Sequence, residues 1–230
     1  RSTSTPFIFS ATVLAPKLAF IDVETTGANP VVDRVTEIAI LRVEDGVLVE
    51  RWSTLVNPGM PIPPTIQGFT GITDAMVADA PPFAEVADGV RALLADCVFV
   101  AHNARFDYGF LKSEFARIGV DFRVPSLCTV KLSRKLFPEH HRHNLDSLGA
   151  RHGLNVAGHR HRALADARVL WELWQCWHRQ LPTATIQRAL ATIVGRPELP
   201  AQIDAASLED LPEAAGAYAF FGDQGHLLLC

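Results

Sequence analysis

Acidic residues stand at the ends of short apolar segments in three widely separated parts of the chain. Asp22 and Glu24 occur in I-D-V-E-T-T-G, Asp107 ends H-N-A-R-F-D, and His161 and Asp166 bound H-R-A-L-A-D. Only a fold can bring these segments together, and carboxylates that share a pocket repel one another unless cations lie between them. The chain must therefore gather these acids around bound cations or keep them apart in solvent.

Apolar spacing predicts three strands early in the chain, followed by helices that alternate with buried strands. Asp45-Gly46, between β-rich segments 34–43 and 47–56, predicts a hairpin. The other predicted elements are strands at 18–23 and 97–101, helices at 83–94, 104–118, 144–152 and 163–177, a segment of mixed character at 127–132, and a short helix capped at Thr73-Asp74. This order is typical of an α/β protein with a mixed sheet.

Changes in composition predict the domain boundaries. Residues 1–16 are expected to form a flexible arm, 17–181 one domain, 182–207 a linker with one helical stretch at 184–194, and 208–230 the beginning of a second domain. Apolar runs on both sides of Gly222-Asp223-Gln224-Gly225 predict a hairpin in that last segment.

Composition also narrows the class of protein. No apolar run approaches the ~20 residues of a membrane span, so no membrane association is expected. The four cysteines form no C-x-x-C pair, which argues against a zinc site or a disulfide framework and fits the cytoplasm. The net charge is −4, but residues 105–162 carry eleven Lys and Arg against five Asp and Glu. That stretch is either a surface that meets phosphates or a solvated helical face.

The acids suit one kind of chemistry. Asp22 and Glu24 are two positions apart on a predicted strand, so their side chains point to the same face. Ligand sets made only of oxygen favour Mg²⁺ or Mn²⁺ over Zn²⁺, and a pair of such ions is the usual device for in-line attack on a phosphodiester. A neighbouring histidine can take the proton of the attacking water. The pattern therefore favours a metal-dependent nuclease.

Each motif alone also has an ordinary interpretation. Asp22 and Glu24 could be solvated acids at a strand end, and Asp107 could stabilise the first turn of a helix. Asn103, just before that helix, is the better candidate for its cap. His161 could be a surface histidine, and it can share a pocket with Asp166 only if it lies on the loop before the helix.

Taken together and in this order, the motifs resemble the DEDDh 3′→5′ exonuclease family, and within it the proofreading (epsilon) subunits of bacterial DNA polymerase III. The resemblance rests on F-I-D-V-E-T-T-G, V-A-H-N-A-R-F-D-Y-G-F-L and R-H-R-A-L-A-D-A, and covers residues 17–178. The His-x4-Asp spacing distinguishes this branch from relatives that carry Tyr-x3-Asp.

The resemblance implies an RNase H-like fold, with a mixed five-stranded sheet flanked by helices. It implies that two Mg²⁺ or Mn²⁺ ions bind to Asp22, Glu24, Asp107 and Asp166, with Asp22 bridging both. His161 would deprotonate the water that attacks the terminal phosphodiester, and the products would be nucleoside 5′-monophosphates. Without metal, the clustered carboxylates should share a proton, and activity should rise with pH as His161 becomes neutral.

The resemblance also implies a set of substrate contacts and partners. The predicted substrate-binding residues are Thr25, Thr26, Phe69, Ile72, His102, Asn103 and Phe106. Core packing is an equally good interpretation of Phe69 and Phe106. The expected partner is nucleic acid with a free 3′ end, taken to be DNA, together with polymerase or repair proteins in a bacterial cytoplasm. The sequence leaves the oligomeric state open.

Two other functions are compatible with these residues. The first is an exonuclease that trims RNA or short oligoribonucleotides, since that choice depends on contacts with the 2′-OH. The second is a noncatalytic docking module for a polymerase or repair complex, which the intact catalytic positions disfavour.

The end of the chain has a resemblance of its own. L-P-E-A-A-G-A-Y-A-F-F-G-D-Q-G is similar to the first strand pair of a GIY-YIG endonuclease domain. Leu229 stands where that family has a tyrosine, and the catalytic Arg and Glu of such a domain are absent. We therefore expect no second activity from residues 208–230.

Overall fold

The computed structural model describes residues 17–154 and 161–194, and the backbone of 220–221 and 227–229. One sheet is built from β1 Lys17–Thr25, β2 Val35–Glu44, β3 Val47–Leu55, β4 Val98–Ala101 and β5 Ser126–Cys128. Its five strands follow the order β3-β2-β1-β4-β5. β1 is antiparallel to β2 and parallel to β4, which confirms the predicted mixed sheet.

Helices flank this sheet and agree closely with the predicted positions. They are α1 Pro64–Thr70, α2 Asp74–Val77, α3 Phe83–Leu94, α4 Arg105–Arg117, α5 Thr129–Leu136, α6 Leu145–His152, α7 Ala163–Gln180 and α8 Thr183–Val194. Thr73 caps α2, and Gly153 ends α6 in the left-handed conformation that glycine adopts without steric cost. The short α1 was not predicted; it begins with Pro64 in its first turn, where proline needs no N–H partner.

Alternate residues of β1 pack against helices on opposite faces of the sheet. Leu18 and Phe20 belong to a core with residues of α6, α7 and α8, whereas Ala19, Ile21 and Val23 belong to a core with residues of α3 and α4. β1 is therefore buried on both sides, as its continuous apolar run predicts. By the same alternation, Asp22 and Glu24 extend the face that α7 covers.

Residues 183–194, within the predicted linker, form α8 and pack on the domain. α8 places Ile186 fully inside the core that it shares with α7. Its apolar residues recur at helical spacing, so burying them stabilises the helix on the domain. The arm at 1–16 and residues 195–207 lie outside the described residues.

A separate unit spans residues 196–230. Its described backbone consists of β6 Phe220–Phe221 and β7 Leu227–Leu229, which pair antiparallel. This agrees with the predicted hairpin, while the GIY-YIG resemblance stays a prediction. None of the helices in the described part of the chain combines the length and apolar character that crossing a membrane requires.

Candidate active site

Three of the predicted acids meet where β1 ends. One carboxylate oxygen each from Asp22, Glu24 and Asp166 lies within 4.8 Å of the other two. Glu24 and Asp166 are buried, and Asp22 is half-buried. Asp166 comes from the first turn of α7, on the face of the sheet toward which Asp22 and Glu24 point. Oxygen ligands this close to one another suit a hard divalent cation, so this group could hold a metal ion.

Asp107 adjoins this cluster from the other face of the sheet. β4 pairs with β1 only as far as Phe20, so the N–H of Val23 extends past the end of β4. That N–H donates to Oδ1 of Asp107 at 3.1 Å. Asp107 reaches this position because it lies in the first turn of α4, which follows β4 directly. The chain thus brings Asp107 beside the strand residue that separates Asp22 from Glu24.

Burial raises the pKa of Asp107 to about 7, and the charge of Asp166 contributes in the same direction. The N–H of Val23 opposes the shift because it favours the charged carboxylate. Near neutral pH Asp107 therefore holds a proton for part of the time when no cation is bound. This agrees with the proton that the sequence predicts among the clustered acids.

His161 lies on the turn before α7, the position that its spacing from Asp166 requires. Its backbone has a φ of +63°, in the left-handed region that is uncommon for residues other than glycine. The imidazole lies against the ring of Phe69, with 3.8 Å between the ring centroids. Phe69 is 59% exposed on α1, so core packing does not explain it. Both rings therefore stand together on the surface.

Thr25 and Thr26 use their hydroxyls to hold the turn after β1. Thr25 donates to the carbonyl of Gly27 at 2.6 Å, and Thr26 accepts from the N–H of Arg34 at 3.0 Å. A Cβ at Gly27 would lie 2.4 Å from the carboxylate of Asp33, so a larger residue there would displace that side chain. Both threonines therefore shape this edge of the site, and their contact with a terminal nucleotide stays a prediction.

Two further predictions need correction. Ile72 is fully buried in a small cluster with Ile62 and Val77, so its side chain cannot reach a substrate. Asn103 does not cap α4, because it adopts a φ of +63° and turns the chain before the helix begins at Arg105. Its side chain is exposed.

The remaining predicted contacts lie near this edge of the sheet. Phe106 is half-buried and packs against Phe110, with 4.8 Å between the ring centroids, which favours its packing role. His102 directly follows β4, and its Nδ1 is 2.9 Å from the hydroxyl of Thr129 at the start of α5. That contact joins the segment before α4 to α5.

Sequence reasoning missed two buried glutamates that hold the loops around the acids. Glu37 on β2 binds Arg162, and Glu114 on α4 binds Arg34, each through two nitrogens of the guanidinium. Both glutamates interrupt apolar sequence: Glu37 precedes I-A-I-L in a strand, and Glu114 precedes Phe115 on the buried face of a helix. A charged residue inside an apolar period was the available signal, since buried charges are paired.

Comparisons with known proteins agree with this geometry. Residues 19–174 match the model of the exonuclease family (RNase_T). A DNA polymerase III subunit epsilon from Aquifex aeolicus is 38% identical over 163 residues, which covers 67% of this chain and 80% of that protein. A PolC-type DNA polymerase III from Halalkalibacterium halodurans is 34% identical over 166 residues. That alignment covers 70% of this chain but spans only 12% of the much longer polymerase.

Solved structures show the same architecture. Exonuclease X, in complex with 5′ overhanging duplex DNA, has a TM-score of 0.58 and 30% identity, and the match covers 75% of this chain and 98% of that one. Exonuclease I has a TM-score of 0.67 at 19% identity, over 76% of this chain and 43% of that one, and so supports the fold alone. The mixed five-stranded sheet with flanking helices is thus the RNase H-like fold predicted from the sequence.

Proposed function

This chain belongs to the exonuclease family, and from that premise we propose that it removes nucleotides one at a time from the 3′ end of DNA. The observation that carries the proposal is the meeting of Asp22, Glu24 and Asp166 at the end of β1, with Asp107 beside them and His161 on the adjoining turn. Along the chain, these five residues follow the order Asp, Glu, Asp, His, Asp, which is the order that the resemblance to DEDDh exonucleases implies.

The carboxylates of Asp22, Glu24, Asp107 and Asp166 would hold two Mg²⁺ or Mn²⁺ ions. When bound, such a pair neutralises the charge that develops on the phosphate and lowers the pKa of the attacking water. The protein contributes a fixed set of oxygens from β1, α4 and α7, so the ligands need little rearrangement. The proton that Asp107 holds at neutral pH must leave for it to act as a ligand, and cation binding is therefore coupled to proton release.

His161 would take the proton of the attacking water on the unprotonated nitrogen of its ring. His161 stands on the turn that leads into α7, five positions before Asp166. Phe69, exposed beside His161, offers a flat apolar surface on which the terminal base can stack. The reaction would leave a nucleoside 5′-monophosphate and a strand one residue shorter.

DNA is favoured as the substrate by the relatives. The Aquifex protein is a DNA polymerase III subunit, and exonuclease X was solved with duplex DNA. The Aquifex relative supports work beside a polymerase. The proposal extends this to DNA repair and to a bacterial cytoplasm. The converged acids argue against a noncatalytic docking module, because four carboxylates gathered in one place are unfavourable unless a cation uses them.

A time course on 5′-labelled strands tests this proposal. Wild-type protein should shorten single-stranded, 3′-paired and 3′-mismatched DNA by one nucleotide at a time, with Mg²⁺ or Mn²⁺ present and not with a chelator. Faster shortening of a matched RNA strand would favour the RNA-trimming alternative. Asp22→Ala should abolish shortening while leaving the circular-dichroism spectrum unchanged. Equal activity in that variant would reject the assignment.

A further inference from the structure

Glu37 is the centre of a buried clamp on the turn that carries His161. Its Oε2 accepts from Nε of Arg162 at 3.0 Å, and its Oε1 accepts from Nη2 of the same guanidinium at 2.8 Å. The N–H of Ala163 also donates to Oε2, at 2.9 Å. Glu37 is buried, so these bonds are shielded from water and are of the strong, charge-assisted kind. One carboxylate thus binds both residues that directly follow His161.

The clamp joins this turn to β2, the strand that pairs with the one presenting Asp22 and Glu24. Glu37 is the cross-strand partner of Glu24, so the two side chains lie on the same face of the sheet. The pKa of Arg162 is raised first by its bond to Glu37, and the charge of Glu24 adds to the effect. Arg162 therefore lies within the electrostatic reach of both glutamates, and its charge also relieves their mutual repulsion.

Asp166 has independent support that His161 lacks. Asp166 lies within α7, whose neighbouring residues Ala163, Ala167 and Leu170 are fully buried in the core. His161 precedes the helix, has a left-handed backbone and is only half-buried. Loss of the clamp should therefore displace His161 more than it displaces any of the acids.

We propose that Glu37 is a positioning residue that acts on the reaction through His161, by clamping Arg162 and the first N–H of α7. This inference rests on the proposed exonuclease activity. β2 contributes no acid to the cluster. Through Glu37 it holds His161 at the distance at which the imidazole can receive a proton. A displacement of about 1 Å at such a group can lower the rate by ~10²-fold.

Glu37→Gln is the first variant to measure, because it keeps the shape of the side chain and one acceptor oxygen. We expect kcat to fall about 10-fold with KM within about twofold of wild type, since the fork to Arg162 loses one of its bonds and its charge. Affinity for Mn²⁺, measured by calorimetry, should stay within about twofold, because the strand and helices that carry the acids stay packed without the clamp. Glu37→Ala, which removes both acceptors, should lower kcat further, so that Gln partly rescues it.

A double-mutant cycle separates positioning from general support of the fold. In a His161→Ala background, Glu37→Gln should lower the remaining rate by less than about twofold, because the group it positions is gone. Glu114→Gln is the matched control. It weakens the second buried fork, on Arg34, and should lower the rate by the same factor with and without His161. Thermal unfolding of each variant shows whether the folded state survives.

The outcomes separate this inference from the function on which it rests. A 10-fold effect of Glu37→Gln that disappears without His161, with Mn²⁺ affinity unchanged, supports the clamp. An effect that persists in the His161→Ala background, or that follows a loss of Mn²⁺ affinity, overturns it. Full activity of Glu37→Gln also overturns it and leaves the exonuclease assignment intact. A wild-type protein that hydrolyses no nucleic acid rejects both.

Discussion

The acids and the histidine of the site are held in place by different means. Asp22, Glu24, Asp107 and Asp166 stand on strands or first helical turns whose neighbours are buried. His161 stands on a turn, with a left-handed backbone and a half-buried ring. Regular elements fix the acids proposed to bind cations, whereas the histidine depends on contacts from β2 and α1. The difference predicts that substitutions near the acids alter metal binding and that those near the turn alter turnover.

Asp166→Asn should have the largest effect. It keeps the size of the side chain but removes a charged ligand from the cluster, so we expect kcat/KM to fall at least ~10³-fold. Mn²⁺ affinity should fall with it. Asp146→Asn is the matched control, because Asp146 is also an acid in the first turn of a helix but is exposed on α6. If both variants lost activity equally, a general effect of helix-terminal acids would replace the assigned role.

His161→Ala should have the second-largest effect on activity. Removal of a general base is expected to lower kcat by about 10²–10⁴-fold. Mn²⁺ affinity should be unchanged, because the carboxylates stay on their own elements. A parallel loss of metal affinity would show that the turn and the acids act as one unit and are not held in place independently.

Phe69→Ala should have a smaller effect, on substrate binding. A base stacked on an aromatic ring contributes ~1–3 kcal/mol, so KM for single-stranded DNA should rise about 10-fold. Ile118→Ala provides the control, since Ile118 is also an exposed apolar residue but lies just past the C-terminal end of α4, opposite the end that bears Asp107. A change in kcat with KM unchanged would instead indicate that Phe69 acts by supporting the His161 ring.

The smallest effect concerns the far end of α7. Burial lowers the pKa of His152, whose Nε2 accepts the indole N–H of Trp177 at 3.1 Å. Because the pKa of His152 is lowered in the folded state, neutral His152 contributes to the free energy of unfolding. This contribution is fully present above the unfolded pKa of 6.5 and is lost as pH falls below that value. We expect the melting temperature to fall as this contribution is lost, and to fall less in His152→Gln. A pH dependence that the substitution leaves unchanged would assign the effect to other groups.

The elements that bury a continuous apolar pattern were predictable from the sequence. Residues 83–94 form the helix that their spacing predicts, and Asp45-Gly46 forms the predicted hairpin turn. The helix of residues 183–194 was also predicted, but its packing was not. An amphipathic helix can pack on a domain or link two domains. Which of these it does depends on a partner surface that is distant in sequence, and here Ile186 packs into the core beside α7.

The acids of the site were predictable because each ends or begins a regular element within a specific motif. The ion pair between Glu37 and Arg162 was not predictable. The apolar sequence around Glu37 indicates that its charge is paired, but the partner lies 125 positions away and local sequence does not identify it. Ile72 was misassigned for a related reason. Its motif position suggests a surface, and only the packing of Ile62 and Val77 around it shows that it is internal.

Titration of Mn²⁺ into the protein, in the presence of a nucleoside 5′-monophosphate, tests most directly whether these distant acids hold cations together. We predict that two ions bind to the wild-type protein with release of protons near pH 7, and that Asp22→Ala binds fewer ions with much lower affinity. Absence of binding to the wild type, or the same binding isotherm for Asp22→Ala, would contradict it.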